Sequence, residues 1–225
     1  MPDGAESMDF AQEMDKRLPA GMGMPGEFAA LLQEIEARGW TMPSERHPGD
    51  RLGLLGSEAE LQDGVVTTVL FRGAPESEAR DFGRDWFGDV VPDIERRLVP
   101  FARTGGDGSY AAFWIDDAGE QRIVHLGSDG VTCLLGGTPL DFLRLLAIGY
   151  DEIGGDCLAG PHLPPDTPGR NAAYRDWLSA RFGVSVPATA AEILGEVPDG
   201  LAEDSADPLW RWVRVRQDER DAAAR

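Results

Sequence analysis

Between residues 109 and 135 the chain places two turn sequences among three apolar runs, and this pattern constrains the fold more than any other. Residues 109–116 (SYAAFWID) are rich in aromatics, and both alternation classes are apolar: Tyr110, Ala112 and Trp114 on one face, Ala111, Phe113 and Ile115 on the other. An interior strand covered on both sides has this pattern. Asp116-Asp117-Ala118-Gly119 is turn chemistry, since Asp bonds its own backbone and Gly accepts positive φ. Residues 122–126 (RIVHL) read as a second strand, Ser128-Asp129-Gly130 as a second tight turn, and residues 131–135 (VTCLL) as a third strand. Short turns demand antiparallel neighbours, because a parallel return needs a long crossover.

A helix follows with a marked start. Thr138 can cap it, Pro139 suits the first helical position, and Asp141 favours the positive end of the dipole. Phe142, Leu143, Leu145, Leu146, Ile148 and Tyr150 give it a wide apolar face, with Gly154-Gly155 as its expected end. A meander followed by a helix with a face to bury predicts an α+β fold. We expect a mainly antiparallel sheet of about five to six strands, centred on residues 98–136, with helices on one or both faces.

Pro100-Phe101-Ala102, Gly106-Asp107-Gly108-Ser109, the aromatic strand, His125-Leu126-Gly127 and the helix Asp141-Phe142-Leu143-Arg144-Leu145-Leu146 together resemble the SUKH superfamily. That group includes the yeast regulator of cell-wall synthesis and bacterial immunity proteins that neutralise polymorphic toxins. The resemblance covers about a quarter of the chain, with a faint echo of an earlier family stretch at Leu52-Gly53-Leu54-Leu55. It implies a protein-binding module without catalysis, acting on a toxin or another protein, and it places the loop at Gly106 beside the partner-facing surface.

The flanks are less patterned. Residues 1–26 carry five of the six methionines among Gly and acidic residues, and are expected to be a loosely held tail. Residues 27–155 form the expected core unit. A helix is predicted over 27–38, a loop over 40–51, and a strand over 65–71 that can pair with 52–55. A second helix spans 76–87, with Ala79, Phe82 and Trp86 at helical spacing and Gly83 weakening the pattern; Trp86 reads as core. A helical turn is expected over 91–97. A Pro/Gly loop over 156–170 (Pro161, Pro164, Pro165, Pro168) marks a module boundary. A helical extension follows, over 171–182, 189–194 and 208–220. In its last helix the tryptophans are expected to pack on the domain, and its arginines to meet an acidic surface.

With 225 residues, 42% of them hydrophobic, the chain can build one sizeable core. A formal net charge of −19 opposes binding to phosphate backbones and to anionic membrane surfaces, and attracts a basic partner in a salt-dependent way. Two cysteines without a CxxC partner predict neither a zinc knuckle nor a disulfide framework. The acidic N-terminus has no apolar stretch of secretory type, and no run approaches the roughly 20 apolar residues of a membrane span. A cytoplasmic protein is the expectation.

His47, His125 and His162 stand far apart. His125 could be oriented as a base by Asp116 or Asp117 across the hairpin, which keeps a small hydrolase or ligand-binding protein as an alternative, yet no nucleophile sits in a recognisable frame. Gly105-Gly106-Asp107-Gly108-Ser109 lacks the Lys and Ser/Thr of a phosphate loop, and has Ala118 where a calcium loop counted from Asp107 needs Glu. Its glycines read as a bend in which Asp107 and Ser109 satisfy backbone donors. No catalytic residue, cofactor or metal is expected. Gly106, Gly108, Ser109, Trp114, Phe142 and Leu146 are read as structural. The partner-facing candidates are the turn carboxylates Asp107, Asp116, Asp117, Glu120, Asp129, Asp151 and Glu152, suited to masking a basic toxin site. A regulatory adaptor with no toxin partner is the other alternative, and the oligomeric state is left open.

Overall fold

The computed structural model describes residues 8–159, 165–167 and 169–224. Its strands are β1 (Thr41–Pro43), β2 (Arg51–Gly53), β3 (Leu70–Phe71), β4 (Leu98–Arg103), β5 (Tyr110–Ile115), β6 (Gln121–Leu126) and β7 (Thr132–Leu134). Each pairs antiparallel with the next, so one seven-stranded sheet runs β1 to β7 in chain order. The described helices are α1 (Phe10–Asp15), α2 (Gly26–Ala37), α3 (Glu58–Gln62), α4 (Glu76–Phe87), α5 (Pro139–Ile148), α6 (Gly155–Leu158), α7 (Ala172–Phe182), α8 (Ala191–Leu194) and α9 (Pro208–Ala223). The fold is α+β, and none of these helices is long and apolar enough to cross a membrane.

The two apolar faces of β5 create two cores. Ala111 and Phe113 join Phe28 and Leu31 of α2, Phe101 of β4, and Phe142 and Leu146 of α5. Phe101 stacks on Phe113 at 4.3 Å between ring centroids, and Phe28 meets Phe101 edge-on at 4.8 Å. On the other face Ala112 and Trp114 pack with Phe87 of α4, Val124 of β6, and Leu209 and Trp212 of α9. Pro100 lies opposite Ala112 and Ala102 opposite Ala111, so Phe101 is the extra residue of a bulge. That bulge lets Phe101 and Ala102 both enter the first core, which strict alternation would forbid.

α5 begins as its sequence dictates. Thr138 accepts from the Asp141 amide at 3.2 Å, the Asp141 carboxylate accepts from the Thr138 amide at 3.1 Å, and Pro139 takes the first turn. The helix ends earlier than Gly154-Gly155, because Gly149 at φ 96° already forms a left-handed cap, and Gly155 instead opens α6.

Other expectations give way to tertiary contacts. Seven strands are present against the expected five to six, because β1 lies within the expected loop at 40–51 and pairs with β2. Ser44 donates to the Asp50 carbonyl and Leu54 to the Trp40 carbonyl, both at 2.9 Å, and this extends the ladder around Pro43. The strand expected over 65–71 shortens to Leu70–Phe71. Its earlier amides bond elsewhere, Thr67 to the Asn171 side chain and Thr68 to the Asp151 carbonyl, each at 2.9 Å.

Of the tail expected over 1–26, residues 1–7 lie outside the described residues, and residues 8–26 are not simply loose. Phe10 and Met14 are buried in the first core, Asp9 caps α1, and Arg51 ties Glu13 to Glu36 at 2.9 Å each. The helical extension after residue 170 packs on the core unit, as its tryptophans lead one to expect. Tyr174 and Leu178 belong to the first core, and Leu209, Trp212 and Val213 to the second. Gly155–Leu158 is helical where a loop was expected, while Pro161, Pro164, Pro168 and His162 lie outside the described residues.

Candidate functional site

The seven turn carboxylates do not form one surface. Asp116, Asp117 and Glu120 sit at the β5–β6 turn, whereas Asp107, Asp129 and Glu152 gather at the opposite end of the same strands. All seven are engaged within the chain. Asp116 accepts from the amides of Ala118 and Glu120 at 2.9 Å each, Asp117 pairs with Arg97 at 2.7 Å, and Glu120 pairs with Arg122. Arg97 holds the Asp117 carboxyl below its usual range against the opposing effect of burial. Asp107 accepts from the Ser109 amide and hydroxyl at 2.9 Å and from the Ser128 hydroxyl at 2.8 Å. Burial opposes its charge, but these bonds together keep it ionised below the ordinary range. Asp129 accepts from the amides of Val131 and Gly155 at 3.1 Å, Glu152 accepts from the Gly106 amide at 2.7 Å, and Asp151 pairs with Arg170.

The residues read as structural lie in the same framework. Gly106 supplies the amide that Glu152 accepts, and Gly108 turns at φ 102°. Ser109, Trp114, Phe142 and Leu146 are buried.

His125 does not meet Asp116 or Asp117. It pairs across the sheet with Ala111 and Cys133, five residues along β5 from Asp116, or roughly 17 Å of strand. It is fully buried, and neither ring nitrogen has a hydrogen-bond partner among the described residues. Burial lowers its pKa to about 4, only partly offset by the carboxylates of Asp129 and Asp107. A sealed, neutral imidazole at that position cannot reach a substrate at the β5–β6 turn. The thiols are also buried: burial pushes Cys133 well up, and Cys157 to about 11. Among the described residues no group of three or more His, Cys, Asp or Glu is placed to hold a metal ion.

What the fold does leave open is a groove of about 770 Å³ on the second face of the sheet, over β1 to β5. Strand register puts Met42 opposite Leu52, and Arg103 between Leu70 and Tyr110, so these side chains form its floor. α4 makes one wall with Glu78, Asp81, Phe82, Asp85 and Trp86, and the β1–β2 turn makes the other with Ser44, Glu45, Arg46 and His47. The Phe82 ring meets Tyr110 edge-on at 5.3 Å.

An ion network ties one end of this groove together. Glu78 lies 3.2 Å from His47 Nδ1 and also pairs with Arg72, which reaches Asp50 at 2.9 Å, while Arg17 reaches Asp50 at 2.6 Å. Arg17 first, and then Arg72, hold the Asp50 carboxyl below its normal range in spite of burial. Arg103 donates to the carbonyls of Gly105 and Gly106 at 3.0 and 2.7 Å.

The groove is not apparent from the sequence, because α4 is rotated from the expected orientation. Its buried stripe is Ala79, Gly83 and Phe87, with Gly83 against Ile94. Phe82 and Trp86 therefore flank the second core, partly exposed, instead of filling it. The signal available was the repeated acid–aromatic pair, Asp81-Phe82 and Asp85-Trp86, one helical turn apart. No protein-family model matches this chain, and no curated protein or solved structure matches it.

Proposed function

We propose that this chain is a non-catalytic protein-binding module of the SUKH immunity or regulatory kind, which neutralises a basic partner domain by occluding it. The observation that carries this reading is the groove over β1 to β5, an open sheet face with aromatic rings and carboxylates on a chain of net charge −19. Partly exposed aromatic side chains beside charges are the residues that anchor protein interfaces. Acidic surfaces speed and select encounter with basic partners. The separation of His125 from Asp116 and Asp117 favours a binding reading over one built on that pair.

The test is calorimetric titration of the purified chain against the products of genes adjoining its own, at low and high salt. A basic domain is expected to bind with an affinity that falls as salt rises, and to lose its own toxic activity in the complex. Absent or salt-insensitive binding to every such product would refute the proposal. A partner with no toxic activity to block would assign the adaptor role instead.

A further inference from the structure

We infer that the groove grips an extended segment of its protein partner through an arginine or lysine side chain, laid against Phe82 and Trp86 with its charge on Asp81 and Asp85. This inference rests on the protein-binding reading and adds to it the place and the chemistry of recognition.

The molecule already uses the same arrangement with its own side chains. The Arg97 guanidinium lies 5.4 Å from the Trp212 ring centroid while pairing with Asp117 at 2.7 Å. Arg51 lies 5.6 Å from the Phe10 ring centroid while pairing with Glu13 and Glu36 at 2.9 Å each. In both, an aromatic face and a carboxylate hold one cation from two sides, each adding to the other.

α4 carries a further acid–aromatic set, and among the described residues no cation of this chain is on it. Among the described residues, the carboxylates of Asp81 and Asp85 make no hydrogen bond or ion pair, and no cation lies over Phe82 or Trp86. Spacing of four residues puts the two carboxylates on one side of the helix and the two rings beside them. The basic groups of the groove do not supply the missing charge. Arg72 is held by Glu78 and Asp50, and Arg103 by two backbone carbonyls. Arg46 stands on the opposite wall with no carboxylate partner among the described residues, against three such lining carboxylates: Glu45, Asp81 and Asp85.

The rest of the groove fits the stem of such a side chain. Leu52 and Leu70 provide an apolar floor, along which an arginine or lysine can lay its methylenes while its head reaches the charged wall. A volume of about 770 Å³ accommodates several side chains, so a segment of chain fits rather than a single residue.

The test uses a short fluorescent peptide alternating arginine and leucine, with a glutamate–leucine peptide as control, followed by anisotropy against the full chain. The arginine peptide is expected to bind and the glutamate peptide not. Asp81→Asn combined with Asp85→Asn, or Trp86→Leu alone, should weaken binding about tenfold. Asp117→Asn combined with Glu120→Gln, at the distant turn, should leave it unchanged. Equal weakening by both pairs would mean diffuse attraction to an acidic protein and would overturn the inference, as would failure of the arginine peptide to bind. The same double variant separates this inference from its premise. If a neighbouring gene product still binds it at full affinity, the groove is wrong and the protein-binding reading stands; if no product binds even the native chain, that reading fails.

Discussion

His125 shows how much one side chain can reveal about its surroundings. It occupies the centre of a three-strand register, between Ala111 and Cys133, with no water-accessible surface. An unfolded histidine takes up its proton near pH 6.5, but the folded one does so only near pH 4. Between these values the unfolded chain binds more protons, so the contribution is complete above pH 6.5 and is lost as pH falls. His125 is thus expected to cost the fold roughly 2 kcal/mol between pH 7 and pH 5. His125→Leu should flatten that slope in urea unfolding followed at several pH values, since it removes the group whose protonation produces it. A slope identical to the native one would show that His125 does not titrate as described. The turn carboxylates offer the opposite lesson. Their residue types predicted turns correctly, and those turns consume most of their hydrogen-bonding capacity.

At the scale of elements, α4 matters most because its packing decides where the groove lies. Gly83 would be a defect in an isolated helix, costing about 1 kcal/mol relative to Ala. In the folded chain a Cβ there would collide with the Ile94 side chain, so the missing methyl permits the close approach of the 3₁₀ turn Ile94–Arg96. Gly83→Ala is therefore expected to destabilise by about 1–2 kcal/mol, overpacking outweighing propensity, measured as a lower denaturation midpoint at unchanged slope. A rise in midpoint would mean that Ile94 yields easily and that propensity governs. The boundaries of α4 and the start of α5 were legible because caps, prolines and apolar spacing are local signals. The β1–β2 hairpin was not, since its short strands carry Pro43 and gain their pairing only from the neighbouring sheet.

On the scale of the whole molecule, the C-terminal helix closes the second core. Trp212 of α9 packs edge-on against Phe87 of α4 at 5.0 Å and lies 5.6 Å from Trp114 of β5. Arg220 of the same helix donates to the Trp86 carbonyl at 2.9 Å. The other arginines of α9 turn to nearby groups, Arg211 to the Ser205 carbonyl, Arg214 to the Ala202 carbonyl and Arg216 to Glu219, and not to a broad acidic surface. Trp212→Ala is expected to cost about 3 kcal/mol or more and to loosen α4 along with α9. Urea unfolding followed by fluorescence and by far-ultraviolet circular dichroism should shift together. A loss confined to the last helix, with the remaining transition unchanged, would make residues 208–223 an independent appendage.

The sequence alone determined the α+β class, the central antiparallel meander, the two buried faces of β5 and the capped helix after it, because each depends on spacing and turn chemistry within a few neighbouring residues. Only the tertiary structure decided that α1 and α7 belong to the first core, that His125 is remote from Asp116, and that Phe82 and Trp86 border a groove. Those outcomes depend on which helix face finds a partner and on where distant strands bring their ends. Both are settled by contacts between residues tens of positions apart, which no local pattern encodes.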